Sequence, residues 1–106
     1  MGTFNKIATV SLLSLGIVLT GCSSMSEIDN STPEGAYKLA QKYEKDERFE
    51  EAIAEYTSLK NKHPYSKLAT ESELRVADIH FKREEFVESQ AAYQTFKEMH
   101  PSHPQS

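Results

Sequence analysis

From residue 33 onward apolar residues recur every three or four places, with charged and polar residues between them. Phe49, Ala52, Ile53, Tyr56 and Leu59 form one such stripe, the spacing of an amphipathic helix with a single buried face. The pattern predicts four helices. Thr32 can cap the first, and Pro33 suits its first position, where a missing N–H costs nothing; this helix runs to about Lys45. Asp46-Glu47-Arg48 forms a turn, and the second helix spans about Phe49 to Asn61. The third begins near Ser66, with Thr70-x-x-Glu73 as a rival capping box, and ends near Lys82. The fourth spans about Glu85 to Met99. The N-terminal pattern is different: Ile7 to Thr20 carries no charge over 14 residues and follows a lysine, Lys6. A spanning helix wants about 20 apolar residues, so this run is short for an anchor and has the layout of a secretory leader.

The second and fourth helices repeat one another. Ser89 lies 37 residues after Ala52, Tyr93 is 37 after Tyr56, and Pro101 is 37 after Pro64. A fixed offset shared by a small residue, an aromatic and a His-Pro stop is a repeat, and a period in this range belongs to helix-pair solenoids. The first unit resembles the tetratricopeptide repeat, with Ala36, Leu39-Ala40, Tyr43, Ala52, Tyr56 and Pro64 at that motif's places. Ala40 and Ala52 are small where paired helices cross, Tyr43 and Tyr56 fill the space beside the crossing, and Pro64 stops the second helix. The second unit carries Glu73, Val76-Ala77, His80, Ser89, Tyr93 and Pro101; Glu73 and His80 are polar where apolar residues are usual. The expected fold is therefore all-α, a tetratricopeptide-like helix-pair solenoid of two repeats and four helices. A chain ending at Pro101-Ser-His-Pro-Gln-Ser106, where another helix is expected, reads as the front of a longer protein.

Leu19-Thr20-Gly21-Cys22 resembles the bacterial lipobox, in which diacylglycerol is joined to the cysteine thiol and the leader is cut between Gly21 and Cys22. Cys22 is the one cysteine of the chain, so it has no internal disulfide partner. The resemblance implies covalent diacylglycerol and an N-acyl chain on Cys22, and two or three acyl chains hold a protein where one holds it only marginally. Ser23 follows the lipidated position. By the same resemblance, serine rather than aspartate there implies the periplasmic face of the outer membrane. The chain then divides into a signal peptide (1–21), a lipidated cysteine with a flexible linker (22–32), and two repeats (33–65 and 66–101) with a short tail.

Charge narrows the partners. Twelve Lys and Arg against sixteen Asp and Glu give a net charge of −4, which argues against a nucleic-acid footprint. The repeats contain no Gly-rich phosphate loop and no nucleophile–base pair, so no enzyme activity and no catalytic residues are expected. The acidic clusters Glu44-Lys-Asp-Glu47 and Glu84-Glu85 read as solvated charge at helix turns. His100-x-x-His103 has metal-ligand spacing, but interleaved prolines and the want of a third ligand point to no metal; His63 and His100 instead close helix ends, where cations are favoured.

Lipobox, Ser-rich linker, Ala36-Tyr37, Phe49-x-x-Ala52-Ile53, His63-Pro64-Tyr65-Ser66 and His100-Pro101-x-His103-Pro104 together resemble the BamD family of outer-membrane assembly lipoproteins. That resemblance implies a scaffold of the β-barrel assembly machinery that docks on barrel-assembly subunits and receives the C-terminal signals of unfolded outer-membrane proteins. Its rivals are a periplasmic tetratricopeptide adaptor of the Tol-Pal system and a pilus-assembly pilotin lipoprotein. Ligands of such repeats lie against the first helix of each pair. The expected groove comprises Tyr37, Gln41, Glu44 and Lys45, with Glu34 at its start, then Leu74, Asp78, Phe81 and Lys82. Within it Tyr37, Leu74 and Phe81 are apolar where packing does not call for them.

Overall fold

The computed structural model describes residues 28–106. The leader, Gly21, Cys22 and the first part of the linker lie outside the described residues. Four helices follow in order: α1 (Pro33–Lys45), α2 (Phe49–Lys62), α3 (Lys67–Lys82) and α4 (Phe86–Met99). Each packs on the next, and α1 also meets α3, the arrangement of a helix-pair solenoid rather than a closed bundle. Among the described residues no helix is long and apolar enough to cross a membrane.

Local chemistry sets the boundaries. The Thr32 hydroxyl accepts from the Gly35 N–H at 3.0 Å and Pro33 sits in the first turn of α1. Ser66 caps α3 by accepting from the Leu68 N–H at 3.0 Å, so the rival start at Thr70 is not used. The linker also crosses close over α1. A Cβ at Gly35 would sit 1.7 Å from the Asp29 carbonyl oxygen, so only glycine fits beneath it.

Both units turn in the same way. Glu47 and Glu84, 37 residues apart, have φ of 59° and 61°. After α1 the Arg48 N–H donates to the Tyr43 carbonyl and the Glu47 N–H to that of Glu44; after α3 the Glu85 N–H donates to the His80 carbonyl and the Glu84 N–H to that of Phe81. These are Schellman closures with glutamate where glycine is usual, each holding a side chain in the left-handed region at a cost of about 1–2 kcal/mol. The second helices end alike as well, on His63 and His100 with the same extended φ of −130°.

The core follows the small-residue positions. Ala40, Ala52, Tyr56 and Ile79 form its centre, flanked by Tyr43, Phe49, Ile53 and Val76. A second cluster of Ala36, Leu59 and Ala69 closes the end of α1 against α2 and α3. Tyr37 packs against both clusters, and its ring meets Tyr56 edge-on with centroids 5.5 Å apart. Leu74 is buried as well. This corrects the expectation that packing does not require Tyr37 and Leu74: Tyr37 lies against both clusters and Leu74 is 7% exposed.

Glu73 and His80, the polar residues at usually apolar places of the second unit, are both paired. Glu73 is held by Lys60 Nζ at 2.8 Å and by His100 Nε2 at 2.5 Å. His80 Nδ1 lies 2.7 Å from Glu85 Oε1. Burial works against the Glu73 carboxylate, but its hydrogen bonds with Lys60 and His100 outweigh that and hold its carboxyl below the usual range.

Candidate functional site

The face shared by α1 and α3 carries a chain of hydrogen bonds that crosses all four helices. Its centre is Glu44, buried on α1. Three donors converge on its carboxylate: the Tyr56 hydroxyl from α2 at 3.0 Å, Lys82 Nζ from α3 at 2.6 Å, and an Arg75 guanidinium nitrogen from α3. Arg75 turns its other nitrogen, Nη1, to Asp78 Oδ2 at 3.1 Å, and the Tyr93 hydroxyl of α4 donates to the second Asp78 oxygen. The expectation that the Glu44 cluster is solvated charge is thereby corrected for Glu44 itself. α3 brings two cations over it, while Lys45, Asp46 and Glu47 stay exposed. Glu84 is exposed, and Glu85 pairs with His80 and with Arg83.

This arrangement sets the proton affinities. Burial would raise the Glu44 carboxyl, but the bonds from Lys82, Tyr56 and Arg75 bring it below its ordinary value. Burial raises the Tyr56 hydroxyl, and the neighbouring Glu44 charge raises it further. Tyr93 is pushed up to about 12 by desolvation and by its bond to Asp78. Both tyrosines thus stay protonated and donate to their carboxylates near pH 7.

The expected groove residues separate into three groups. Gln41, Glu44, Lys45 and Lys82 come together around a cavity of about 200 Å³, joined by Arg75. Tyr37 and Leu74 turn towards the core, though the Tyr37 hydroxyl stays close enough to feel the charges of Arg75, Glu71, Glu44 and Asp78. Phe81 is 57% exposed and sits edge-on to Phe86 of α4, centroids 5.5 Å apart, away from the cavity around Glu44. Glu34, at the start of α1, is exposed. Arg75 is the member that the sequence reading missed. The one available signal is its place 37 residues after Lys38 on the ligand-side helix, which is weak by itself.

The two histidines of the tail do not face each other. His103 Nε2 lies 2.8 Å from Glu71 Oε1 while His100 holds Glu73, and Phe96 contacts both rings at centroid distances of 5.0 and 5.1 Å. Among the described residues no three His, Cys, Asp or Glu side chains gather as a metal site requires.

Comparison with known proteins gives one match: a family described as tetratricopeptide repeat, over residues 25–106. Neither the curated proteins nor the solved structures yield a match.

Proposed function

The chain belongs to the tetratricopeptide repeat family, whose repeats hold protein partners, and on that premise we propose that it is a lipid-anchored binding scaffold, not an enzyme, at the periplasmic face of the outer membrane. In this reading Cys22 carries diacylglycerol and an N-acyl chain. The α1–α3 face receives extended C-terminal segments of unfolded outer-membrane proteins on behalf of the β-barrel assembly machinery, as the BamD-like features of the sequence suggest.

One observation carries the ligand assignment. Lys45, Lys82 and Arg75 are brought to one small cavity in a chain whose net charge is negative, beside the half-buried Tyr37. A local excess of cations suits a peptide carboxylate. Glu44 neutralises part of that charge, so Lys45 and Gln41 at the exposed mouth are the groups placed to meet the ligand first.

The test uses the full-length protein in mild detergent and a fluorescent peptide copying the last residues of an outer-membrane β-barrel protein. Lys45→Glu with Gln41→Ala is expected to weaken binding by about tenfold, equivalent to about 1.4 kcal/mol, and amidating the peptide C-terminus is expected to do the same. Equal affinity for acid and amide overturns the ligand assignment. Labelled palmitate is expected in the wild type and absent from Cys22→Ser; equal labelling overturns the anchor.

A further inference from the structure

α2 and α4 both lie on α3 but do not pack on each other. Between them is a cavity of about 340 Å³ with α3 as its floor. Val76 and the buried Tyr56 and Phe96 give it apolar walls, while Thr57, Lys60 and Thr95 stand exposed at its rim. Ser72 of α3 lines it too. That side chain is fully buried, and among the described residues its hydroxyl has no hydrogen-bond partner. All three helices that bound the cavity are already in place. A helix added after α4 would lie over Phe86, Tyr93 and Lys97, the repeat equivalents of Phe49, Tyr56 and Lys60, where α3 meets α2. The cavity is lined instead by Ala91, Ala92, Thr95 and Phe96 of α4.

The first unit shows what such a place holds. Ser72 and Ala92 are the 37-residue equivalents of Gly35 and Glu55. Over Gly35 lies the chain's own linker, in extended form. The Asp29 carbonyl oxygen takes the space of a Cβ, and the Asn30 side-chain amide donates to Glu55 Oε2 at 3.1 Å. In the second unit the equivalents of Asp29 and Asn30 are Ser66 and Lys67, which cap and begin α3. The chain therefore runs straight into its helix there and does not fold back across it.

We propose that this cavity binds an extended segment of a partner polypeptide, with a backbone carbonyl on the Ser72 hydroxyl and the next side chain, an apolar one, over Ala92 and Phe96. The linker on Gly35 supplies the carbonyl, and serine in place of glycine supplies a donor for it. A buried hydroxyl without a partner is destabilising, and an incoming acceptor recovers that loss. Alanine in place of Glu55 offers nothing to an amide, so the side chain that follows the carbonyl is apolar. The chain's own segments are engaged elsewhere: the linker at Gly35 and Glu55, the tail through His103 to Glu71. The linker of a second copy is a poor occupant, because its Asn30 would lose water beside Ala92 with no acceptor in return.

The linker sequence supplies the probe. A labelled, N-acetylated peptide of residues 28–32 is compared with the same peptide carrying Asn30→Leu, both titrated with the full-length protein in mild detergent. The leucine peptide is expected to bind at least about tenfold more tightly. Ser72→Ala in the protein is expected to weaken it by about fivefold, the size of one net hydrogen bond. The same variant should melt no lower than the wild type, since it removes an unpaired buried hydroxyl. Ala92→Glu is expected to reverse the preference between the peptides, because it restores the acceptor that Asn30 meets on α2. The proposal is overturned by equal affinity for the two peptides or by a preference that Ala92→Glu leaves unmoved. It is overturned as well if Ser72→Ala binds like the wild type or melts lower, the latter meaning that the hydroxyl already has a partner within the protein. Absence of saturable binding would mean that another stretch of this chain covers the cavity, and a dimer of the chain alone that Asn30→Ala dissociates would give the place to a second copy; either result refutes it. None of these readouts involves Lys45 or Gln41, so this cavity and the α1–α3 groove stand or fall separately.

Discussion

Tyr56 and Tyr93 hold the same place in successive units and live in different surroundings. Tyr56 is fully buried between α1 and α3, its hydroxyl on Glu44 and its ring against Tyr37. Tyr93 reaches Asp78 with its hydroxyl but leaves its ring half-buried at the edge of a depression on α4. The helices around them differ accordingly. α2 buries Ala52, Tyr56 and Leu59 between two neighbours, whereas α4 buries Ser89 and Phe96 against α3 alone. A repeat motif therefore specifies backbone and contact points, while burial, and with it stability, comes from having a neighbour on each side. Among the described residues α2 has a helix on each side and α4 has one.

The strongest way to break that contrast is to remove each ring. Tyr56→Ala should cost about 3–5 kcal/mol, the range for deleting a buried aromatic. Tyr93→Ala should cost less than half as much, because its ring fills less of the core. Urea unfolding of the two variants measures both; equal losses would mean that the units are equally buried in solution. Next in size is the polar joint between the units. Glu44→Gln keeps the shape but loses the charge that Lys82 and Arg75 answer, an expected loss of about 1.5–3 kcal/mol at neutral pH. Its pH dependence follows from the lowered Glu44 carboxyl. The wild-type advantage is fully present above the ordinary value of 4.5 and is lost as pH falls through the depressed folded value, so the two melting curves should converge in acid. The smallest effect sharpens the comparison from the other side. Glu47→Gly and Glu84→Gly relieve the same left-handed backbone in each unit, and each should stabilise by about 1 kcal/mol in the same unfolding measurement. If Glu84→Gly gains nothing while Glu47→Gly gains as expected, the second turn opens independently of the first.

These contrasts also mark what could be read from the chain before its fold. The four helices, the Thr32 and Ser66 caps and the crossing residues Ala40 and Ala52 follow from short-range periodicity and from side chains that act within one turn of helix. The left-handed turns at Glu47 and Glu84 were hidden because glycine, their usual signal, is absent; only the shared offset betrays them. The burial of Glu44 was hidden for another reason. Its partners Arg75 and Lys82 stand 31 and 38 residues away, and a glutamate near a helix end looks solvated until a second helix is laid over it. Tyr37 and Leu74 were misjudged in the same way, since the identity of a ligand-facing position depends on how closely α3 approaches α1. Gln41, Lys45 and Lys82 sit where helix geometry alone puts them, and for those three the sequence reading and the structure place the side chains together.

The matched backbone at Glu47 and Glu84, and at His63 and His100, has a consequence for how the length of this chain can change. Removing or duplicating one 37-residue stretch leaves every helix in phase with its neighbours, wherever in the unit the cut is made. A recombination slip between the two halves would thus delete or add one helix pair without a frame error in the packing. The junction would inherit one of two chemistries at its centre, the carboxylate of Glu44 or the ring of Phe81.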